Sequence, residues 1–185
     1  NFFSVILGRF YDPRAVGNYT QANKWNFMGH SVISGVVNGV AQPLFVETAG
    51  DSERQTRVFR KMLRFTSFMS FPLMMGIAII SKELILIALG EKWLDSAALL
   101  MVLCIGGAFL PITSLYTQFL LSRGRSITYM VGLICMVVTQ LAAALLTYPF
   151  GVMTMLVPYV CINILWVAVW HGFVRRLLPL SALQA

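Results

Sequence analysis

The chain has 185 residues, 58% of them hydrophobic and only 11% charged, with a mean hydropathy of +0.76. Soluble domains carry about 25% charged residues, so a water-soluble globule is excluded. The apolar runs are continuous and lack the alternation of barrel strands, which excludes a membrane barrel. The formal charge of +7 is no nucleic-acid footprint, because no basic patch is interleaved with base-stacking aromatics; nucleic acid is not expected as a partner.

Residues 2–10 are apolar but too few to cross a bilayer. Residues 1–10 therefore read as the outer end of a helix that starts before Asn1, and the chain as part of a longer protein. A signal peptide would need a positive n-region and a small-residue cleavage site. Five complete runs follow, at 17–46, 65–81, 96–121, 127–149 and 151–172. About 20 helical residues cross the hydrocarbon core, so the expected fold is all-α: a polytopic membrane helix bundle with five complete transmembrane helices and the end of a sixth. Pro13 and Gly17 suit the start of the first full helix, while Pro72, Pro111 and Pro158 fall inside runs and predict kinks. Residues 84–88 are too short to span. They predict an interfacial helix with Trp93 at headgroup level, or an outer gate that moves with substrate. Cys104, Cys135 and Cys161 each sit in an apolar run and read as small packing residues rather than a redox pair.

Basic residues crowd alternate joints. Arg54, Arg57, Arg60, Lys61 and Arg64 lie in 47–64, Arg123 and Arg125 in 122–126, and Arg175 and Arg176 in the tail, against three acids, Glu47, Asp51 and Glu53. On the other joints Arg9, Arg14, Lys82 and Lys92 are balanced by Asp12, Glu83, Glu91 and Asp95. Lys and Arg are retained on the cytoplasmic side. The 17–46 helix is therefore expected to run inward, 65–81 outward, 96–121 inward, 127–149 outward and 151–172 inward.

The 17–46 run is unlike the rest. Asn26, His30, Ser34, Asn38 and Gln42 recur every four residues, a contiguous stripe that drifts about 40° per step. Polar groups facing lipid are expensive, so the stripe faces either the bundle interior, as interhelical hydrogen-bonding glue, or a water-filled cavity. Five polar positions in series exceed what one packing contact needs, which favours the cavity. Asn23 joins the set, and Gly35 and Gly39 offer close helix approach beside it. Lys24 lies about 10 Å into this run. It either snorkels to the outer headgroups or gives the cavity a fixed positive charge for an anionic substrate. His30 titrates near neutral pH in water, but no acid lies in a transmembrane run to make a proton relay with it. Gln118, Gln140 and Asn163 are solitary polar residues expected to make interhelical hydrogen bonds. No metal or cofactor set is visible.

At its joints the sequence resembles the Wzx-type polysaccharide and O-antigen flippases of the multidrug/oligosaccharidyl-lipid/polysaccharide exporter superfamily. The resemblance is carried by Gly8 and Arg9, by 16–22 (Val-Gly-Asn-Tyr-Thr-Gln-Ala), by Pro43, and by 51–54 (Asp-Ser-Glu-Arg). It continues through 71–76 (Phe-Pro-Leu-Met-Met-Gly), 89–93 (Leu-Gly-Glu-Lys-Trp) and 121–125 (Leu-Ser-Arg-Gly-Arg). Gln42 stands where many relatives have an aromatic before the proline. The resemblance implies the C-terminal lobe, residues 1–185, of a two-lobed alternating-access transporter in the bacterial inner membrane. It would move undecaprenyl-diphosphate-linked oligosaccharide from the cytoplasmic to the periplasmic leaflet for surface polysaccharide biosynthesis. Its implied partners are the lipid-linked oligosaccharide, membrane lipids and an N-terminal lobe of the same protein. Lys24 would attract the diphosphate, and Asn23, Asn26, Asn38 and Gln42 would hydrogen-bond sugar, with His30 and Ser34 in the same lining. A drug or cation antiporter of the same superfamily would require membrane-embedded acids. A membrane glycosyltransferase or polymerase would require a catalytic acid or base, and Asp12, Glu83, Glu91 and Asp95 have basic neighbours and no recognisable motif.

Overall fold

The computed structural model describes residues 8, 9 and 11–177. Most of the expected partial helix at 1–10 lies outside the described residues; Gly8 and Arg9 are helical. Seven α-helices follow: α1 Pro13–Glu47, α2 Ser52–Ile79, α3 Ser81–Leu89, α4 Asp95–Gly107, α5 Leu110–Ser122, α6 Ser126–Thr147 and α7 Val152–Leu177. Short 3₁₀ turns at Glu91–Trp93 and Tyr148–Phe150 precede α4 and α7. Among the described residues there is no strand. The chain is an all-α polytopic membrane bundle.

Four stretches are long and apolar enough to cross a membrane: Ser52–Ile79, Asp95–Ser122, Ser126–Phe150 and Val152–Arg175. Helix α1 has 35 residues, about 52 Å of rise, yet it is not among them; its polar residues dilute its hydropathy. It sits instead among neighbours, packed against α2, α4 and α5, while α6 docks on α7 at the periphery.

One expectation at the joints is corrected. The stretch 47–64 is no extended joint: α2 begins at Ser52, so the basic residues from Arg54 to Arg64 ride on a helix. The Asp51 carboxylate accepts from the backbone N–H groups of Glu53 and Arg54, both at 3.0 Å, and Glu53 sits in the first turn, where the helix dipole favours an acid. Only 48–51 turn the chain. The run 96–121 is one membrane-crossing stretch made of two helices, with the kink expected from Pro111. It breaks at Ala108 and Phe109, just ahead of Pro111 in the first turn of α5. There the Ser70 hydroxyl on α2 donates to the Ala108 carbonyl at 2.7 Å, supplying a partner to backbone at the break. Pro72 and Pro158 stay inside continuous helices.

The alternate joints meet at opposite ends of the bundle, as their charges imply. At the balanced end Arg14 pairs with Asp95 at 3.1 Å, and the Tyr11 hydroxyl donates to the Tyr148 carbonyl. Trp93 lies so close to Gly17 that a Cβ there would meet the indole at 3.3 Å. The Ser96 hydroxyl also donates to Asn18 at 3.1 Å. The 16–22 and 89–93 motifs are thus halves of one contact. At the basic end Arg123 donates to the Ser52 hydroxyl at 3.3 Å and lies over the Phe119 ring. Gly124, at φ +66°, ends α5 in the left-handed region, and the Arg125 N–H closes back on the Leu120 carbonyl. The buried Gln55 amide donates to the Phe45 carbonyl at 2.7 Å, tying α1 to α2.

The interior forms two apolar clusters. One, towards the balanced end, centres on Tyr19, Met74, Ile85, Leu100, Cys104 and Leu156. The other, towards the basic end, gathers Phe45, Phe59, Tyr116, Phe119 and Trp170. Cys135 and Cys161 lie exposed on the apolar periphery rather than packed inside.

Candidate functional site

The buried positions of α1 are Asn18, Tyr19, Ala22, Asn26, Ile33, Val37, Ala41 and Phe45. From Tyr19 they advance by threes, fours and sevens, which keeps them near one face of a 3.6-residue helix. The polar stripe advances strictly by four and gains about 40° per step. The buried line skips from Asn26 to Ile33 and then also advances by four, so from Ser34 on the stripe runs beside it, about 100° around the helix. Asn26 is buried, at 4% exposure; His30 and Ser34 are half-buried; Asn38 and Gln42 are exposed. One sequence stripe serves two places.

The first place is a partly open pocket between helices. Asn23, Asn26 and His30 from α1 line a cavity of about 200 Å³ with Gly106 and Gly107 of α4 and Tyr159 and Asn163 of α7. Among the described residues, the Asn26 Oδ1 and His30 Nδ1 atoms have no hydrogen-bond partner. Gly107 is what admits Asn26: a Cβ at that position would come within 2.2 Å of its Oδ1. On the far wall the Asn163 amide donates to the Tyr159 carbonyl at 2.8 Å, and its carbonyl accepts from Gln140 of α6 at 3.2 Å. The sequence marked Gln140 and Asn163 as isolated residues bonding between helices, and they do bond to each other. Asn163 also shares a cavity with Asn26 and His30, which sequence spacing could not show because the residues come from distant helices.

The second place is the open edge of α1. The exposed Asn38 carbonyl accepts from the Ser114 hydroxyl and from Gln118 at 3.3 Å, both on α5. Gln42 continues this edge one turn on, and Lys24 and Gly35 lie on the same exposed side. Lys24 does not line the first pocket. It stands eleven residues past Pro13, about 16 Å along the helix, deeper than the 10 Å expected when the helix was placed from Gly17. Beyond this edge α1 turns apolar, with Met28, Val32, Val36 and Val40 exposed. The antiparallel register with α2 fixes relative depth. A Cβ on Gly29 would meet Ile77 and Met74, and Val36 and Val40 share a groove with Lys61, Met62 and Phe65. Asn38 and Gln42 are thus level with the basic row of α2, while Lys24 lies towards the other end. Among the described residues, no group of three His, Cys, Asp or Glu is placed to hold a metal ion.

Apolar outer helices around one long polar helix define a multi-pass α-helical membrane protein. A family model described as "Polysaccharide biosynthesis protein" matches residues 1–98, and the chain belongs to that family. It is 30% identical over 120 residues, 65% of its length, to an uncharacterized membrane protein in the cps region of Klebsiella pneumoniae, covering 24% of that protein. It is 29% identical over 126 residues, 68% of its length, to the teichuronic acid biosynthesis protein TuaB of Bacillus subtilis, covering 26% of it. Similarity to the succinoglycan biosynthesis transport protein ExoT of Rhizobium meliloti is 24% over 121 residues, 65% of the chain and 24% of that protein. The chain thus spans about a quarter of the length of these relatives. No solved structure matches it with significance.

Proposed function

We propose that residues 1–185 form one lobe of a two-lobed, alternating-access flippase. Its cargo is undecaprenyl-diphosphate-linked oligosaccharide, carried from the cytoplasmic to the periplasmic leaflet of a bacterial inner membrane. The observation that carries this reading is the open polar edge of α1. Lys24 and Gln42 are exposed, and Asn38 is exposed beside its α5 partners Ser114 and Gln118, on a helix too polar to be immersed in lipid. Such an edge suits a water-filled path completed by a second lobe of the same protein. Membership in a polysaccharide biosynthesis family and a relative named for succinoglycan biosynthesis transport support the cargo class.

In this reading Lys24 attracts the diphosphate, and Asn38 and Gln42 hydrogen-bond sugar at the basic end. Asn23, Asn26 and His30 line the cavity on the same helix, with the half-buried Ser34 one turn beyond them. The role is transport rather than catalysis. The test is complementation of a flippase-deficient strain with the full-length gene carrying Lys24→Ala or Asn38→Leu. Loss of surface polysaccharide at normal protein level is expected from each; normal polysaccharide from both sinks the assignment.

A further inference from the structure

On the flank of α1 opposite its polar edge, a groove of about 440 Å³ runs between α1 and α2. Val36, Val37, Val40 and Leu44 form one wall; Val58, Met62 and Phe65 form the other, and Lys61 is its one charged lining residue. Lys61 is exposed, as are Arg57 and Arg64 within one turn of it. No ion pair or hydrogen bond joins any of these three to another described residue. The acid that approaches the row, Glu47, is taken by Arg54 at 3.6 Å.

We propose that this groove binds an anionic phospholipid of the leaflet that the basic row faces, with one acyl chain between Val40 and Phe65 and the phosphate on the Lys61 ammonium. The argument is complementarity in both parts of the ligand. The slot is apolar where a chain would lie, and its rim carries unpaired cations where a headgroup would lie. A Lys with an apolar stem and a charged tip fits that boundary. The occupant is a resident phospholipid rather than transported cargo, because Val36 and Val40 lie about 200° around α1 from Asn38 and Gln42. A headgroup held by Lys61 cannot also reach the polar edge. The site therefore does not depend on the cargo proposed above.

The test uses the complete protein in mild detergent, with phosphatidylglycerol and phosphatidylcholine as probes and native mass spectrometry as readout. Phosphatidylglycerol should be retained about fivefold better, the preference expected from a single basic contact near a membrane surface. The preference should vanish in Lys61→Gln, an exposed change that leaves the fold intact, as a monodisperse size-exclusion peak would show. Val40→Trp, which fills the slot, should lower retention of both lipids. Equal retention of the two lipids by the unaltered protein, or an unchanged preference in Lys61→Gln, overturns the proposal. So does a photoreactive amino acid substituted for Val40 that cross-links to protein instead of lipid, since another polypeptide would then occupy the groove.

Discussion

Helices α1 and α6 are both long, and they solve opposite problems. Over its 22 residues α6 buries only Gly132 and Ala144; most of its remaining surface is apolar and exposed, apart from the flank where Tyr129 and Gln140 meet α7. Its close approach to α7 is made at Gly132, where a Cβ would meet the Trp170 ring at 2.5 Å. In a membrane, where lipid is as apolar as leucine, such small-residue contacts and interhelical hydrogen bonds hold helices together. Helix α1 differs: it packs against α2, α4 and α5 along one face, is polar along a drifting line, and exposes both a polar edge and an apolar flank. The contrast teaches that exposure has two meanings here. On α6 it means lipid, and on the polar edge of α1 it means water or a polar partner.

The largest expected effect breaks this contrast directly. Val138→Lys, on the exposed face of α6, should cost about 3 kcal/mol of insertion free energy and sharply reduce protein in the membrane fraction. Gln42→Lys, on the exposed edge of α1, should leave that level within about twofold; equal losses would erase the distinction between the two surfaces. Next comes Gly107→Leu, whose side chain must displace Asn26 and Met74. Overpacking of this kind costs about 1–3 kcal/mol, and a thermal-shift assay in detergent should show a clear drop in the unfolding midpoint.

How much was legible in the sequence differs from one element to the next. The apolar runs, the sorting of basic joints to one end and the four-residue stripe are local patterns of hydropathy and charge, and they survive into the fold, although among the described residues four stretches rather than five are long and apolar enough to span. Charge density hides the helical state of 54–64, although Lys and Arg are good helix formers; the Asp51 cap is the available signal. The kink of 96–121 was legible from Pro111, but the partner of the backbone at Ala108 was not. Its carbonyl is satisfied by Ser70, a residue 38 positions away. The stripe itself was legible, but its division between cavity and open edge needed the buried face of α1 for comparison. The meeting of Asn163 with Asn26 and His30 around one cavity is tertiary from the start.

Smaller effects sharpen the pocket half of the site. Asn163→Leu removes the acceptor for Gln140 and should cost about 0.6 kcal/mol, the usual worth of an interhelical hydrogen bond in a membrane. A double-mutant cycle with Gln140→Leu would measure the coupling, and a coupling of zero would mean that the pair does not form. Smallest is Arg14→Ala. Both partners of the Arg14–Asp95 pair are mostly exposed, at 73% and 63%, and exposed pairs contribute about 0–1 kcal/mol. The unfolding midpoint should barely move, and a large shift would mean that the pair is shielded from water by a surface outside the described residues.

The drift of the α1 stripe has a further consequence. A line that rises about 6 Å and turns about 40° with each step is itself a screw thread, with a pitch near 54 Å. From Asn26 to Gln42 it completes almost half a revolution. No single straight neighbour can lie along such a thread. Gly107 at the end of α4 seats Asn26, Ser114 and Gln118 of α5 engage Asn38, and Gln42 has passed beyond both. A polar group tracking the thread would be handed from one set of neighbours to another as it rose, turning as it went.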